Sequence, residues 1–150
     1  MKPDNNPIPF ADEHGAACFR IPLSNSPDTF AILDQQSFTN LISQGLTGRW
    51  FLNSNGAGRS YVRISVPVEG RRGGTNLLVA RLIIGAGPRT VVRYANGNPL
   101  DLRFVNLAWR KGKSGRTDAD TLAAAVRLRA DRSAKMMRSS APERTTHANV

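Results

Sequence analysis

The side-chain pattern of residues 61–66 constrains the fold more than any other feature of this chain. Val62, Ile64 and Val66 alternate there with polar or aromatic residues, so all three fall on one face of a β-strand. A strand with this pattern buries its apolar face and leaves the other face, which carries Arg63, for solvent or a ligand. The fold therefore needs a second layer that covers the apolar face.

The segment before this strand predicts that second layer. Residues 21–23 and 30–33 are expected to form short strands separated by a Ser-Asn-Ser-Pro-Asp turn. Asp34 can then cap a helix that ends near Gly45 and packs on the sheet. The apolar residues of this helix recur at helical spacing: Phe38, Leu41 and Ile42.

Composition limits the chain to one small domain. Its 150 residues, 40% of them hydrophobic, can build one core with tails. The single cysteine, Cys18, excludes an internal disulfide framework, and the first residues do not begin a secretory signal. The longest apolar stretch, residues 77–87, is interrupted by Arg81 and is too short for a bilayer. We expect a soluble, cytoplasmic protein with no membrane role.

Positive charge is concentrated in the middle of the chain. The net charge is +10, and residues 49–116 alone hold thirteen basic and two acidic residues. Residues 1–48 hold two basic and five acidic residues, and residues 117–150 hold six and four. Such a basic segment suits a polyanion, because phosphate contacts release condensed counterions. The alternative is a solvated basic face without a dedicated ligand.

The basic segment contains a predicted hairpin turn at residues 70–74. There, Arg71 and Arg72 would present two guanidinium groups at a loop tip, before residues 76–78 return as a strand. A twisted two-stranded ribbon that carries arginines has the shape to enter a DNA groove. The alternative for each of these arginines is an ordinary hairpin with a soluble turn.

The most specific motif lies in residues 91–107, which run VVRYANGNPLDLRFVNL. This stretch resembles the core of the HNH nucleases, where Val-Asp-His-Ile-Asn-Gly-Asn is followed by Leu-Asp-Asn-Arg and, two residues on, by Asn-Leu. The turn at residues 96–98, Asp101, Arg103 and Asn106 keep the family pattern. The resemblance implies that this part of the chain keeps the family's scaffold.

The reactive positions of the motif are replaced. Arg93 and Tyr94 stand where the family has Asp-His. Leu102 stands at the second motif's asparagine, the polar side chain expected on the family's small helix. In residues 79–83, which correspond to the family's Leu-His-Arg-Leu-Ile, Ala80 stands at the histidine.

The resemblance covers residues 19–110 and keeps its order. The first half of that range resembles the amino-terminal half of phage and bacterial HNH homing-type proteins, which is itself similar to the plant Apetala-type DNA-binding domain. The resemblance implies an α+β fold. It consists of a small antiparallel β-sheet packed on a helix, then a degenerate ββα HNH-like unit, to which this chain adds a C-terminal basic helix.

The replacements argue against the family's chemistry. In the family, the ββα unit holds one divalent cation against the scissile phosphate, and the histidine acts as general base on water. A hard cation needs oxygen ligands, which Arg93 does not supply. A guanidinium about 4 Å from a dication costs about 8 kcal/mol at an effective dielectric constant of about 20. Tyr94, with an ordinary pKa of about 10, holds little phenolate at neutral pH.

We therefore predict no catalytic residue, no metal and no other cofactor. His14 and Cys18 lie four residues apart, but no second pair accompanies them, so we expect no zinc site either.

Arg93 places a fixed positive charge where the nuclease carries its cation. We expect Arg93 and Tyr94 to face a nucleic-acid phosphate. The alternative is a site under no selection, in which Tyr94 packs against Val92 or Leu102. The residues expected to bind nucleic acid are Arg59, Arg63, Arg71, Arg72, Arg81, Arg93, Tyr94, Asn96, Arg103, Asn106, Arg110, Lys111 and Lys113.

The predicted organisation is a flexible arm (1–18), the nucleic-acid-binding domain (19–110), a basic linker (111–117), a helix (118–138) and a disordered tail (139–150). The helix has a thin apolar side. It can dock on the domain, pair with a second copy, or become ordered only on nucleic acid.

Three functions are compatible with these features. We favour a non-catalytic DNA-binding protein derived from an HNH-type nuclease, associated with the nucleoid or encoded by a phage or other mobile element. An RNA-binding or general polyanion-binding protein accounts for the charge but not for the motif. An active HNH endonuclease accounts for the motif but not for Arg93, Tyr94 and Leu102.

Overall fold

The computed structural model describes residues 4–54, 56–113 and 118–140. These residues form eight strands in three antiparallel sheets. The strands are β1 (Ile8–Ala11), β2 (Ala17–Leu23), β3 (Ser26–Asp34), β4 (Trp50–Ser54), β5 (Ser60–Val68), β6 (Arg71–Leu78), β7 (Thr90–Tyr94) and β8 (Leu107–Lys111). Their order in the sheets is β1-β2-β3, β4-β5-β6 and β7-β8.

The helices complete an α+β architecture, as the sequence predicted. They are α1 (Gln35–Ser43), α2 (Val79–Ile84), the C-terminal α3 (Asp118–Ser140) and a single 3-10 turn (Phe104–Asn106). Within the described ranges, no helix combines the length and the apolar character needed to cross a membrane.

The predicted core of the sheet is confirmed. Val62, Ile64 and Val66 are buried on one face of β5, as their alternation indicates. Helix α1 packs on β2 and β3, α2 and α3 pack against β5, and the ring of Phe38 lies 6.1 Å from that of Trp50 on β4. This contact joins the first helix to the central sheet and makes the two layers one core.

Asp34 occupies the predicted N-cap position of α1, but its carboxylate does not cap the helix. Instead, Oδ2 of Asp34 accepts a hydrogen bond of 2.7 Å from the backbone N–H of Phe104. The local sequence predicts that this oxygen caps α1, but it bonds instead to a residue 70 positions further along the chain. The bond connects β3 to the 3-10 turn.

The predicted loose arm contains a strand. Residues 1–3 lie outside the described part, but β1 pairs with β2 in register from Ile8 opposite Arg20 to Ala11 opposite Ala17. The guanidinium of Arg20 lies 4.0 Å from the centre of the Phe10 ring. The residues of β1 do not alternate between apolar and polar, so the sequence does not predict a strand there. The strand is stabilised by its backbone hydrogen bonds to β2.

The arginine hairpin turns earlier than predicted. The turn is Glu69-Gly70, so Arg71 and Arg72 are the first, exposed residues of β6. The glycine pair that suggested a longer turn lies inside β6 at an irregularity in pairing. Gly74 has φ +68°, and a Cβ there would lie 2.0 Å from the carbonyl oxygen of Val66. Glycine is required at this close approach of two strands.

Helix α3 docks on the domain through its first half. Asp118 forms a buried ion pair with Arg81 of α2, their side chains being 4% and 5% exposed. Ala125 is buried, and Arg129 donates a hydrogen bond to the carbonyl of Gly45 beyond the end of α1. The side chains of residues 130–137 are exposed. Self-association through this second half stays a prediction.

Most of the predicted tail, residues 141–150, lies outside the described part, as do residues 114–117 of the predicted linker.

The Arg81–Asp118 pair yields a stability prediction. Asp118→Asn leaves a buried guanidinium without its counter-charge, so the free energy of unfolding should fall by about 3 kcal/mol. Urea unfolding of the full chain measures this loss. Asp120→Asn, which changes an exposed carboxylate two residues further on, should cost less than about 1 kcal/mol. Equal losses in the two variants would show that the buried pair does not anchor α3.

Candidate nucleic-acid interface

The ribbon formed by β7 and β8 has two different faces. Val91 lies opposite Arg110, and Arg93 lies opposite Ala108, so these four side chains share one face. The other face carries Tyr94, which packs against the core. Arg93 and Arg110 are therefore diagonal neighbours, with Cβ atoms about 7 Å apart. Both side chains are exposed.

Arg93 and Arg110 line an open cavity of about 800 Å³. Its other sides come from Arg59 and Tyr61 at the start of β5, and from the turn that follows β7. We call it the arginine cavity. The described residues that line it include three arginines and no acidic side chain: Leu52, Gly58, Arg59, Ser60, Tyr61, Val91, Val92, Arg93, Tyr94, Gly97, Asn98, Pro99, Leu100 and Arg110. The structure thus brings together four of the predicted residues: Arg59, Arg93, Tyr94 and Arg110.

Two of these arginines have no internal counter-charge. Across the residues that the structure describes, Arg93 and Arg110 form no ion pair and no side-chain hydrogen bond. A guanidinium in this position keeps all its donors for a ligand, and its planar fork matches phosphate oxygens. The cavity therefore combines uncompensated positive charge with room for a ligand.

The polar residues of the loop between β7 and β8 have structural roles. Oδ1 of Asn106 accepts a hydrogen bond from the backbone N–H of Asn96 at 2.9 Å, and its Nδ2 donates to the carbonyl of Asp101 at 2.9 Å. The side-chain amide of Asn96 donates to Oδ2 of Asp101, also at 2.9 Å. These bonds close the loop between β7 and β8. Asn106, predicted as a nucleic-acid contact, is buried in the protein, whereas Asn96, predicted for the same role, is exposed but uses its side chain in bonds within the loop.

Arg103 is likewise engaged inside the protein. It donates to both oxygens of Asp101, at 2.9 and 2.7 Å, and to Asp12 at 3.0 Å and Glu13 at 2.8 Å. Burial opposes the charge on Asp101, but the hydrogen bonds and the charge of Arg103 outweigh it and lower the pKa of that carboxyl. Arg103 thus joins the motif loop to the turn between β1 and β2.

Arg81 is directed into the protein. Besides its ion pair with Asp118, it donates to the carbonyl oxygens of Thr90 and Gly87, the latter at 2.9 Å. These bonds hold α2, α3 and the start of β7 together. Its predicted role as a phosphate contact has no support, because every donor group of its buried guanidinium has a protein partner.

Leu102 is fully buried in the core. The backbone of Ile32 on β3 accepts a hydrogen bond from Leu102 N–H and donates one to the carbonyl of Leu100, so this stretch lies along the free edge of β3. The sequence placed Leu102 on a small helix. It instead precedes the 3-10 turn, where a polar side chain would need a buried partner.

Arg63 is half-buried on β5, close enough to Tyr94 for its charge to act on that phenol, but it does not line the arginine cavity. The basic residues at the far end of β5 and β6 lie away from the cavity. Val68, opposite Arg71, is seven residues from Tyr61 along β5, which corresponds to about 23 Å. The exposed Arg71 and Arg72 therefore form a separate basic tip. Lys111 and Lys113 are exposed at and beyond the end of β8.

Tyr94 stacks on Tyr61, with ring centres 5.9 Å apart and planes at 22°. Its Oη is buried and has no hydrogen-bond partner in the described part of the chain. Burial raises the pKa of Tyr94 above its ordinary value of 10.0; Tyr61 adds to the increase, and the charge of the half-buried Arg63 offsets only part of it. The phenol therefore stays protonated at neutral pH.

Sequence reasoning missed two parts of this site. Tyr61 was assigned to the polar face of β5, but nothing local indicated that it stacks on Tyr94. Asp12 and Glu13, the partners of Arg103, lie 91 and 90 residues away in a segment predicted to be loose. The only feature of the sequence that could have indicated this pairing is the opposite charge of the acidic first third and the basic middle of the chain.

Comparisons with protein families, with curated proteins and with solved structures find no match. Over the described ranges, no group of three or more His, Cys, Asp or Glu side chains is arranged to hold a metal ion.

The buried phenol of Tyr94 gives a pH prediction. Above pH 10 the unfolded chain loses the Tyr94 proton while the folded protein keeps it, so wild-type stability should fall as pH rises. Tyr94→Phe removes this contribution, and at pH 7 it should be neutral or stabilising by up to about 1 kcal/mol, because an unsatisfied buried hydroxyl is removed. Urea unfolding between pH 7 and 11 tests both effects. The same alkaline slope in wild type and variant would contradict the assignment.

Proposed function

We propose that this protein binds DNA without cleaving it, through the arginine cavity and the adjoining β7–β8 ribbon, and that it derives from an HNH-type nuclease. The observation that carries the proposal is the placement of Arg93 and Arg110. Both are exposed on one face of the ribbon, without a protein counter-charge among the described residues. Phosphate is the ligand that such a pair fits.

Electrostatics favours an anion at this site and disfavours a metal. The described lining holds three arginines and no carboxylate, so it offers a dication no ligand of opposite charge. A phosphate gains from the same arrangement, because binding releases counterions and uses donors that otherwise face water. Arg93 would then take the electrostatic role that the cation has in the family.

The chemistry of Tyr94 supports a binding role over a cutting role. A general base must take a proton near neutral pH, and the raised pKa of Tyr94 keeps its phenol protonated. Arg93, next to it, cannot serve as a base because a guanidinium does not deprotonate in proteins.

The pattern of retained and replaced residues has a physical explanation under this proposal. Asn96, Asp101 and Asn106 close the loop between β7 and β8 through partly or fully buried hydrogen bonds. Losing one of them would leave polar groups unsatisfied and loosen the ribbon that carries Arg93. A protein that no longer cuts but still binds needs this frame, while the reactive positions are free to change.

Salt-dependent DNA binding tests the proposal. Arg93→Ala should reduce the magnitude of the slope of log K against log salt by about 1, and should weaken duplex binding about eightfold at 0.1 M salt. Arg110→Ala should behave similarly. Fluorescence anisotropy with a fixed duplex, from 0.05 to 0.3 M salt, measures both quantities.

The control for these variants is Arg20→Ala. It removes the same charge from an exposed arginine on β2, outside the arginine cavity. We expect its slope to equal that of wild type. Unchanged slopes for both Arg93→Ala and Arg110→Ala would contradict the proposal. Stronger binding of an RNA competitor than of duplex DNA at physiological salt would replace DNA with RNA as the partner.

A plasmid-nicking assay tests the absence of cleavage. With Mg²⁺ or Mn²⁺ supplied, we expect supercoiled plasmid to remain intact, since neither Arg93 nor Tyr94 can ligate the metal or activate water at neutral pH. Nicking by wild type that disappears in Arg93→Ala or Tyr94→Ala would overturn the non-cleaving assignment. Nicking that persists equally in both variants would point to another site and would overturn it as well.

A further inference from the structure

We infer that the arginine cavity takes a whole nucleotide with its base out of the helical stack, so that the protein prefers DNA containing an unpaired base. The inference rests on the proposed function and goes beyond it, because backbone binding alone requires only surface charge. Its evidence is the size of the cavity, the character of its walls and the arrangement of its aromatic rings.

The cavity is larger than a phosphate contact requires. Its volume of about 800 Å³ lies in the range of sites that enclose a small organic ligand. Contacts to the backbone alone need only basic or polar groups that reach the phosphates. A concave site of this size beside the predicted phosphate contacts has room for the sugar and base as well.

The walls of the cavity are of two kinds. Arg59, Arg93 and Arg110 provide positive charge, whereas Leu52 and Pro99 belong to a group of apolar lining residues. A phosphate gains nothing from the apolar wall. A nucleotide matches both, since it joins an anionic group to a flat base whose faces are apolar.

The aromatic residues of the cavity form a pre-arranged stacking platform. Tyr61 and Tyr94 both line the cavity and stack on each other at 22°. Tyr94 is held from the other side by the core, so the pair is already ordered before a ligand arrives. Stacking of a base on a protein aromatic stabilises the bound nucleotide whichever base it carries.

This energy selects among DNA structures. A base in a perfect duplex must be unstacked and unpaired before it can enter the cavity, whereas a bulged base is already unpaired, so its entry costs less. The difference should therefore favour a bulged duplex over its fully paired counterpart. Using about 1.4 kcal/mol of the stacking energy, we expect a preference of about tenfold.

The test compares two duplexes of one sequence, with and without a single-nucleotide bulge at the centre. The bulged base is 2-aminopurine, whose fluorescence reports its stacking environment, and the full chain is titrated at physiological salt. We expect tighter binding of the bulged duplex by about tenfold, with a fluorescence change on binding. Tyr61→Leu keeps an apolar side chain but removes the ring, so it should bring the affinity ratio close to one.

Two control variants bracket this result. Tyr61→Phe keeps the ring and should keep the preference. Trp109→Leu removes an aromatic side chain that is 60% exposed but lies outside the cavity lining, and it should also keep the preference. Loss of the preference in Trp109→Leu but not in Tyr61→Leu would overturn the inference.

Failure of this inference is distinguishable from failure of the proposed function. Equal affinities of wild type for the two duplexes, with the salt slope still dependent on Arg93, would overturn the unpaired-base site and leave DNA binding standing. No binding to either duplex would overturn both.

Discussion

The site depends on the hydrogen bonds and the ion pair that the carboxylate of Asp101 forms. It is buried, accepts hydrogen bonds from Asn96 and Arg103, and lies in the stretch that runs along β3. Arg103 extends the network to Asp12 at the turn between β1 and β2. One buried acidic residue thus fixes the loop between β7 and β8 relative to the first sheet, and the ribbon's orientation follows from that anchor. Buried charge of this kind is tolerated because each oxygen has hydrogen-bond donors.

The arginines of the basic segment fall into two groups, one buried and one exposed. Arg81 and Arg103 are buried and hold elements together through ion pairs and carbonyl contacts. Arg93 and Arg110 lie on the outer face of the ribbon, the face turned away from Tyr94 and the core, and both are exposed. Residue type and net charge do not distinguish these two uses. The burial of each guanidinium and its hydrogen-bond partners do distinguish them. A strongly basic segment can therefore contain arginines whose donors are all used within the protein and are not available to a ligand.

Local patterns predicted much of the fold but less of the site. The alternation in residues 61–66 and the helical spacing after Asp34 each depend on neighbours in sequence, and both elements form as predicted. The prediction of a loose arm was wrong at β1. An edge strand is stabilised by hydrogen bonds to the backbone of its partner, so its own side chains need not show a strand pattern. The burial of Leu102 and the pairing of Arg103 with Glu13 depend on contacts between distant segments, which no local pattern encodes.

We propose that the outer-face arginines bind DNA while the buried ones support the fold. NMR observation of the arginine Nε–Hε resonances during titration with duplex DNA distinguishes the two groups, because it reports each guanidinium separately in the intact chain. We expect the Arg93 and Arg110 resonances to shift with DNA concentration, and those of Arg81 and Arg103 to remain where they are. Shifts confined to Arg81 and Arg103, or no change at Arg93 and Arg110 in a saturated complex, would contradict it.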